Sequence, residues 1–209
     1  MIPIYVINLL SSRKRRDSMI RQLTMLNLRF SILSAVHGGA INDDYIDRFY
    51  SSKESLRLHG RDLTRNEIGC AMSHLEVYEK MIASKQECAI ILEDDVYIGK
   101  MFEAFVKALP SFMGLDWEMI NLRSEQHSKP FGDPVFDIYR MSKFAGAANG
   151  AFAYAIKYSG AKRLYDYAMP IRFAADGLTG RFNETGLKLV GLVPHIVDLQ
   201  DVSSDIGWR

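Results

Sequence analysis

An α/β domain with a Rossmann-like, mixed and mostly parallel sheet flanked by helices is the fold class that this sequence predicts. Three observations predict it. The apolar runs Ile2 to Leu10 and Ala89 to Leu92 are continuous and rich in β-branched residues, the pattern of strands buried on both faces. Strand-like and helix-like segments alternate through the first half, as a parallel sheet with crossover helices requires. The second run passes straight into Glu93-Asp94-Asp95. Three carboxylates cannot stay buried and unpaired, so that strand has to end near Leu92 with its acids at the carboxyl edge. In open α/β sheets that edge is where ligands bind.

The totals bound the rest. The chain has 209 residues, enough for one domain (1–209) with a sizeable core. Its 48% apolar and 24% charged residues are ordinary for a globular protein. A formal net charge of +1 lacks the basic excess of a nucleic-acid binder. The two cysteines, Cys70 and Cys88, lie in apolar sequence surroundings with no CxxC or Cys/His ligand spacing. Buried, reduced thiols in a cytoplasmic protein are the expectation. No apolar run approaches the roughly 20 residues that span a bilayer. Met1 to Ile7 lacks the basic region and cleavage site of a signal peptide.

In chain order, Ile2 to Leu10 reads as a first, central strand with Asn8 as its polar exception. Ser11 or Ser12 can cap the helix that follows, whose apolar positions are Met19, Ile20, Leu23 and Leu26. Arg13-Lys14-Arg15-Arg16 opens that helix. Strand, short turn and helix start form the usual setting for an anion, and crowded cations there are unfavourable beside the helix dipole unless an anion relieves them. The cluster suits a diphosphate or anionic lipid headgroups; a solvated helix end is the plainer reading. Phe30 to Val36 reads as a second strand, ended by Gly38-Gly39, and residues 42–61 hold weak helical pieces. Thr64-Arg65-Asn66-Glu67 is a capping box. The helix it opens carries Ile68, Met72, Leu75, Tyr78, Met81 and Ile82 on one side, with Ser73 and His74 in its middle. Residue type alone makes Glu67 a cap and His74 a hydrogen-bonded core histidine.

After the acidic strand, Lys100 to Leu109 reads as a helix and Trp117 to Leu122 as a strand. Arg123 to Pro134 reads as a loop long enough to cover a site. Phe136 to Met141 and Ala151 to Ile156 read as strands, Ser159 as the cap of a helix to about Ala168, and Leu187 to Val193 as a last strand. Asp176 is an isolated acid after the apolar approach Pro170 to Ala175. Closer strands in this half predict the mixed character of the sheet.

Carboxylate oxygens converging at a strand end suit a hard divalent cation, Mn²⁺ or Mg²⁺, which keeps coordination positions for a substrate phosphate. A solvated acidic turn is the alternative for this stretch alone.

Four pieces of the chain together resemble glycosyltransferase family 25, the lipopolysaccharide and lipooligosaccharide biosynthesis glycosyltransferases. They are Ile7-Asn8-Leu9 with Arg15-Arg16, Leu63 to His74, Ile91 to Asp95, and Ser204-Asp205-Ile206, in the expected order. The second and third together are specific. The sequence departs from the family pattern at His37, where an acid is common, and at Ala175 before Asp176. The resemblance implies a GT-A fold, a nucleotide-sugar donor, commonly UDP-galactose, and often a divalent metal. It places Asn8, Arg15, Arg16, Glu67, Ser73, His74 and Asp94 on the donor side. Arg15 and Arg16 would pair with phosphate oxygens, and Asp94 would meet the ribose or the donor sugar. Glu93 and Asp95 become the metal ligands, with Asp95 the main one. Asp176 becomes the general base, with a helix cap as its other reading. The acceptor implied is a lipid-linked glycan, reached by a cytoplasmic enzyme in peripheral contact with the membrane.

Two other functions fit the same features: a nucleotide-sugar-binding module without turnover, and a metal-dependent phosphohydrolase. The second lacks an Asp-x-Asp nucleophile pair or a His-rich cluster.

Overall fold

The computed structural model describes residues 2–123, 128–146, 148 and 150–200. The elements are β1 (Ile4–Asn8), α1 (Arg13–Met25), β2 (Ser31–Ser34), α2 (Asp43–Phe49), α3 (Ser52–His59), α4 (Arg65–Ala83), β3 (Cys88–Glu93), β4 (Val96–Ile98), α5 (Met101–Ala108), β5 (Met119–Asn121), β6 (Ser128–Phe136), β7 (Tyr139–Phe144), β8 (Ala153–Lys157), α6 (Tyr158–Ala168), α7 (Ala175–Gly180), α8 (Phe182–Thr185), β9 (Leu189–Val193) and β10 (Val197–Leu199).

Eight strands form one sheet in the order β2-β1-β3-β8-β5-β9-β7-β6, and β4 and β10 form a separate antiparallel ribbon. The pairings make β7 and β8 run against the other six strands. The sheet is therefore mixed and mostly parallel, as the sequence pattern predicts. One core lies on each face. Tyr5, Ile7, Ala89, Ile91 and Tyr154 pack on one side with α4 and α6. Ile4, Val6, Ile90, Leu92 and Ala155 pack on the other with α1 and α5. Burial on both faces is why these strands read as unbroken apolar runs.

That two-residue alternation decides where the acids go. Glu93 continues the side of Ala89 and Ile91 and so faces α4. Asp94 falls on the opposite side, toward α1. Helix α4 begins with the expected capping box: Thr64 Oγ1 accepts from the Glu67 N–H at 3.2 Å, and Glu67 accepts from the Thr64 N–H at 2.7 Å. Two glycines bring α4 close to the segment after β2. A Cβ on Gly69 would stand 2.6 Å from the Val36 carbonyl oxygen, and one on Gly38 would collide with the Arg65 main chain.

Five sequence expectations are corrected. Strand β1 is internal but one place from the sheet edge, which short, partly exposed β2 forms. The stretch read as a loop to Pro134 contains the start of β6. Pro130, Gly132 and Pro134 are tolerated there because β6 is an edge strand, with no further ladder to complete. Phe136 to Met141 is not one strand. It turns at Asp137, whose φ is 45°, and Phe136 stacks on Tyr139 across the turn. Ser159 lies inside the first turn of α6, which Lys157 precedes as N-cap, and its side chain bonds to Glu118. Finally, β9 is followed by β10, so it is not the last strand. The Ser204-Asp205-Ile206 piece lies outside the described residues.

Candidate functional site

A cleft of about 250 Å³ opens at the carboxyl ends of β1 and β3, where α1 and α4 approach the sheet. Arg15, Cys70, Ser73, Glu93, Asp94 and Asp95 all line it. The parallel register sets Ile7 beside Glu93, so Asn8 and Asp94 come next to each other. Asn8 Nδ2 donates to Asp94 Oδ2 at 2.5 Å and to the Ser12 carbonyl at 3.2 Å. Arg15 Nε meets Asp94 Oδ1 at 3.3 Å, and its Nη2 donates to Ser12 Oγ at 3.0 Å. The turn between β1 and α1 is thus tied to the acidic strand end. Burial raises Asp94 from the ordinary aspartate value, although Asn8 and Arg15 oppose the shift.

Asp95 is differently placed. Its Oδ1 is buried without a hydrogen-bond partner. Burial first, then the charges of Glu93 and Asp94, push Asp95 up to about 6. An orphaned carboxylate oxygen beside two other acids is a site short of positive charge. Glu93 and Asp95 both line the cleft, and carboxylate oxygens are the donors that a hard divalent ion takes.

Glu93 is oriented from the α4 side. Its Oε1 lies 3.1 Å from His74 Nε2 and 4.0 Å from Cys70 Sγ. His74 Nδ1 lies 2.7 Å from the Tyr154 hydroxyl, which lies 2.7 Å from the Tyr78 hydroxyl. A carboxylate only accepts, so the His74 Nε2 carries the hydrogen. In the neutral ring Nδ1 accepts from Tyr154, and Tyr154 in turn can accept from Tyr78. His74 is the hydrogen-bonded core histidine that its setting suggests, and it acts on the cleft by holding Glu93.

The structure separates the other sequence candidates. Ser73 is a wall of the cleft whose hydroxyl donates to the Gly69 carbonyl and accepts from the Val36 N–H, at 2.7 and 2.8 Å. Glu67 does not line the cleft; Arg61 forks onto both its oxygens at 2.6 and 2.9 Å. That guanidinium, helped by Thr64, holds Glu67 down at about 2. Arg16 does not line the cleft either and lies 3.9 Å from Asp17. One helical step of about 100° turns it away from its neighbour Arg15. Asp176 stands in the first turn of α7, and its Oδ1 accepts from the Gly177 N–H at 2.6 Å. It is exposed despite its apolar approach and does not line the cleft, although its charge acts on Cys70.

Sequence reasoning missed Cys70 and Tyr154. Cys70 packs against the core as expected, but it also lines the cleft, and burial first, then the charge of Glu93, raises its thiol. The expected lack of Cys/His ligand spacing is corrected. The donor atoms of Cys70, His74 and Glu93 lie within 4.8 Å of one another among the described residues. The signal was present in the four-residue step from Cys70 to His74, which stacks them on one helix face. Tyr154 carried no signal, since only the antiparallel pairing of β8 with β3 brings it beside His74.

Comparison with known proteins adds the lineage. A family model described as glycosyltransferase family 25 (LPS biosynthesis protein) matches residues 1–179. Procollagen galactosyltransferase 2 of Mus musculus is 30% identical over 176 residues, 77% of this chain and 27% of that protein. A glycosyltransferase 25 family member of Anopheles gambiae is 28% identical over 98% of this chain and 38% of its own length. The inactive glycosyltransferase 25 family member 3 of Homo sapiens is 26% identical over 77% of this chain and 28% of its length. The chain thus spans well under half of these relatives. Among solved structures, A197 from STIV superposes with a TM-score of 0.50 at 12% identity, covering 100% of this chain and 99% of that one, a likeness of fold.

Proposed function

The chain belongs to glycosyltransferase family 25, and from that premise we propose that it moves a galactosyl unit from UDP-galactose to a hydroxyl of a lipid-linked lipopolysaccharide or lipooligosaccharide glycan. The observation that carries this reading is the pair Glu93 and Asp95 at the mouth of the cleft, with the Asp95 Oδ1 buried and unpartnered. Galactose as the sugar is supported by the relatives named procollagen galactosyltransferases; the lipopolysaccharide acceptor is supported by the family description.

Glu93 and Asp95 would hold Mn²⁺ or Mg²⁺, which when bound supplies Lewis-acid neutralisation of the diphosphate leaving group. The chain's own residues do the rest. Arg15, held by Asp94 and Ser12, presents a guanidinium to phosphate oxygens at the start of α1. Asn8, buried behind the cleft, fixes that turn with Asp94, and Asp94, which lines the cleft, would meet the ribose or donor sugar. His74 keeps Glu93 aimed into the cleft. Asp176, exposed on α7, takes the proton of the acceptor hydroxyl as the hydroxyl oxygen bonds to the anomeric carbon, and the bond from that carbon to the diphosphate breaks.

Binding of the donor without turnover is the second reading, favoured by the human relative named as inactive. Incubation with UDP-galactose and Mn²⁺, with and without a lipooligosaccharide acceptor, separates them. Acceptor-dependent release of UDP supports transfer. UDP-galactose binding with no release supports the module, and acceptor-independent phosphate release would mean a hydrolase. A panel of nucleotide sugars scored by thermal stabilisation tests the donor, since a ligand of the folded state raises its stability.

A further inference from the structure

The acids at the strand end and the thiol on α4 offer two different chemistries. Cys70 Sγ, His74 Nε2 and Glu93 Oε1 lie within 4.8 Å of one another, with Cys70 to Glu93 at 4.0 Å and His74 to Glu93 at 3.1 Å. Zinc bonds of about 2.3 Å to sulfur and about 2.0–2.1 Å to nitrogen or oxygen place tetrahedral donors roughly 3.2–3.7 Å apart. Cys70 to Glu93 therefore needs to close by less than about 1 Å, and no pair of the three by more than about 1.6 Å. Thiolate and imidazole select Zn²⁺ over the hard ions that two carboxylates suit. We propose that Cys70, His74 and Glu93 form a second cation site for a thiophilic ion, Zn²⁺ above all, which captures Glu93 and so excludes the hard-metal donor site.

The surroundings support such a site, because the partners behind His74 can reverse. A metal on Nε2 requires the ring hydrogen on Nδ1, donated to a neighbour, as ligating histidines regularly do. Tyr154 is that neighbour at 2.7 Å, and between the two tyrosine hydroxyls either oxygen can donate. The hydrogen leaves Nε2, one appears on Nδ1, and both hydroxyls turn. The net change is one proton, lost from the Cys70 thiol to solvent as the sulfur–metal bond forms. No electron is transferred. Cys70 and Glu93 line the cleft, so the ion enters from there and keeps a position open toward it.

The exclusion of the donor site rests on the transferase reading; the soft-metal site does not. Titration of the reduced, metal-free protein with Cd²⁺ tests the site by itself. The expected result is a thiolate-to-metal charge-transfer band saturating at one equivalent, with one proton released. Cys70→Ser and Cys70→Ala should both remove the band, while Cys88→Ser keeps it. Tyr154→Phe should keep the band but weaken Cd²⁺ by about 10–100-fold, the scale for a partner of a ligating histidine. A band that survives both Cys70 variants, or wild-type protein with no band, overturns the site. So does Cd²⁺ affinity unchanged in His74→Gln. If the site holds, Zn²⁺ should inhibit UDP-galactose turnover in wild type and much less in Cys70→Ser. Inhibition that is equal in both overturns the exclusion and leaves the transferase reading standing.

Discussion

Asn8 Nδ2 stands 2.5 Å from Asp94 Oδ2, although the two residues are 86 positions apart. They end adjacent parallel strands, and their contact locks the basic turn of α1 against the acidic edge of β3. The cleft's two signs of charge are therefore built by one pair of strand ends.

Asp95→Asn removes a charge at nearly constant shape. Mn²⁺-dependent UDP binding should weaken by about 100-fold or more, beyond the range for a merely supporting residue, with the fold intact by circular dichroism. In wild type, binding of Mn²⁺ should also weaken as the pH falls below about 6, because the proton on Asp95 competes with the ion. Calorimetry at several pH values checks both; UDP affinity equal to wild type removes Asp95 from the site.

Glu67 has its folded pKa depressed to about 2 from 4.5, with Arg61 the largest cause. A depressed carboxylate contributes stability that is present above the unfolded value and lost as the pH falls toward the folded one. Glu67→Gln keeps a capping side chain but loses the Arg61 pair. It should cost about 1 kcal/mol at pH 7, shrinking between pH 4.5 and 2. Thermal melts across that range measure it. A stability loss independent of pH would show that the carboxylate charge, toward Arg61 and Thr64 alike, contributes none of it.

Asp176→Asn should leave donor binding as it is and reduce turnover by about 10²-fold or more, the scale for a lost general base. Donor titration and initial rates on the same preparation distinguish the outcomes. Donor binding lost together with turnover would make Asp176 a donor ligand, and near-normal turnover would send the base elsewhere.

Gly69→Ala places a Cβ 2.6 Å from the Val36 carbonyl oxygen and 3.0 Å from the Gly38 nitrogen. Neither neighbour is a flexible side chain, so the segment after β2 has to move from α4. The expected cost is about 1–3 kcal/mol by denaturant unfolding, with weaker UDP binding from the displaced wall. Unchanged stability would show that the segment yields freely.

Arg13 and Lys14 are exposed at the start of α1 beside Leu10, whereas Arg15 is engaged with Asp94. Each exposed base should add about 1 kcal/mol of attraction to an anionic membrane. Vesicles of anionic lipid should pull down wild type at low salt and not the Arg13→Glu/Lys14→Glu double variant, with or without UDP. Sedimentation that ignores salt rules out this electrostatic contact. No helix among the described residues is long and apolar enough to cross a membrane.

The sequence by itself determined the sheet class, the capping box at Thr64 and Glu67, and the emergence of three acids at one strand edge. These follow from local causes: burial of continuous apolar runs, the free amides of a first helical turn, and the cost of burying charge. Tertiary structure alone decided how those acids divide. Glu93 goes to His74 and Cys70, Asp94 to Asn8 and Arg15, and Asp95 is left with an unpartnered oxygen. The two-residue alternation of a strand says that neighbours face opposite ways, but not which helix waits on each side. Tyr154 behind His74, and the edge position that lets β6 hold its prolines, likewise depend on strand order. Strand order is a property of long-range pairing, which no window of local sequence contains.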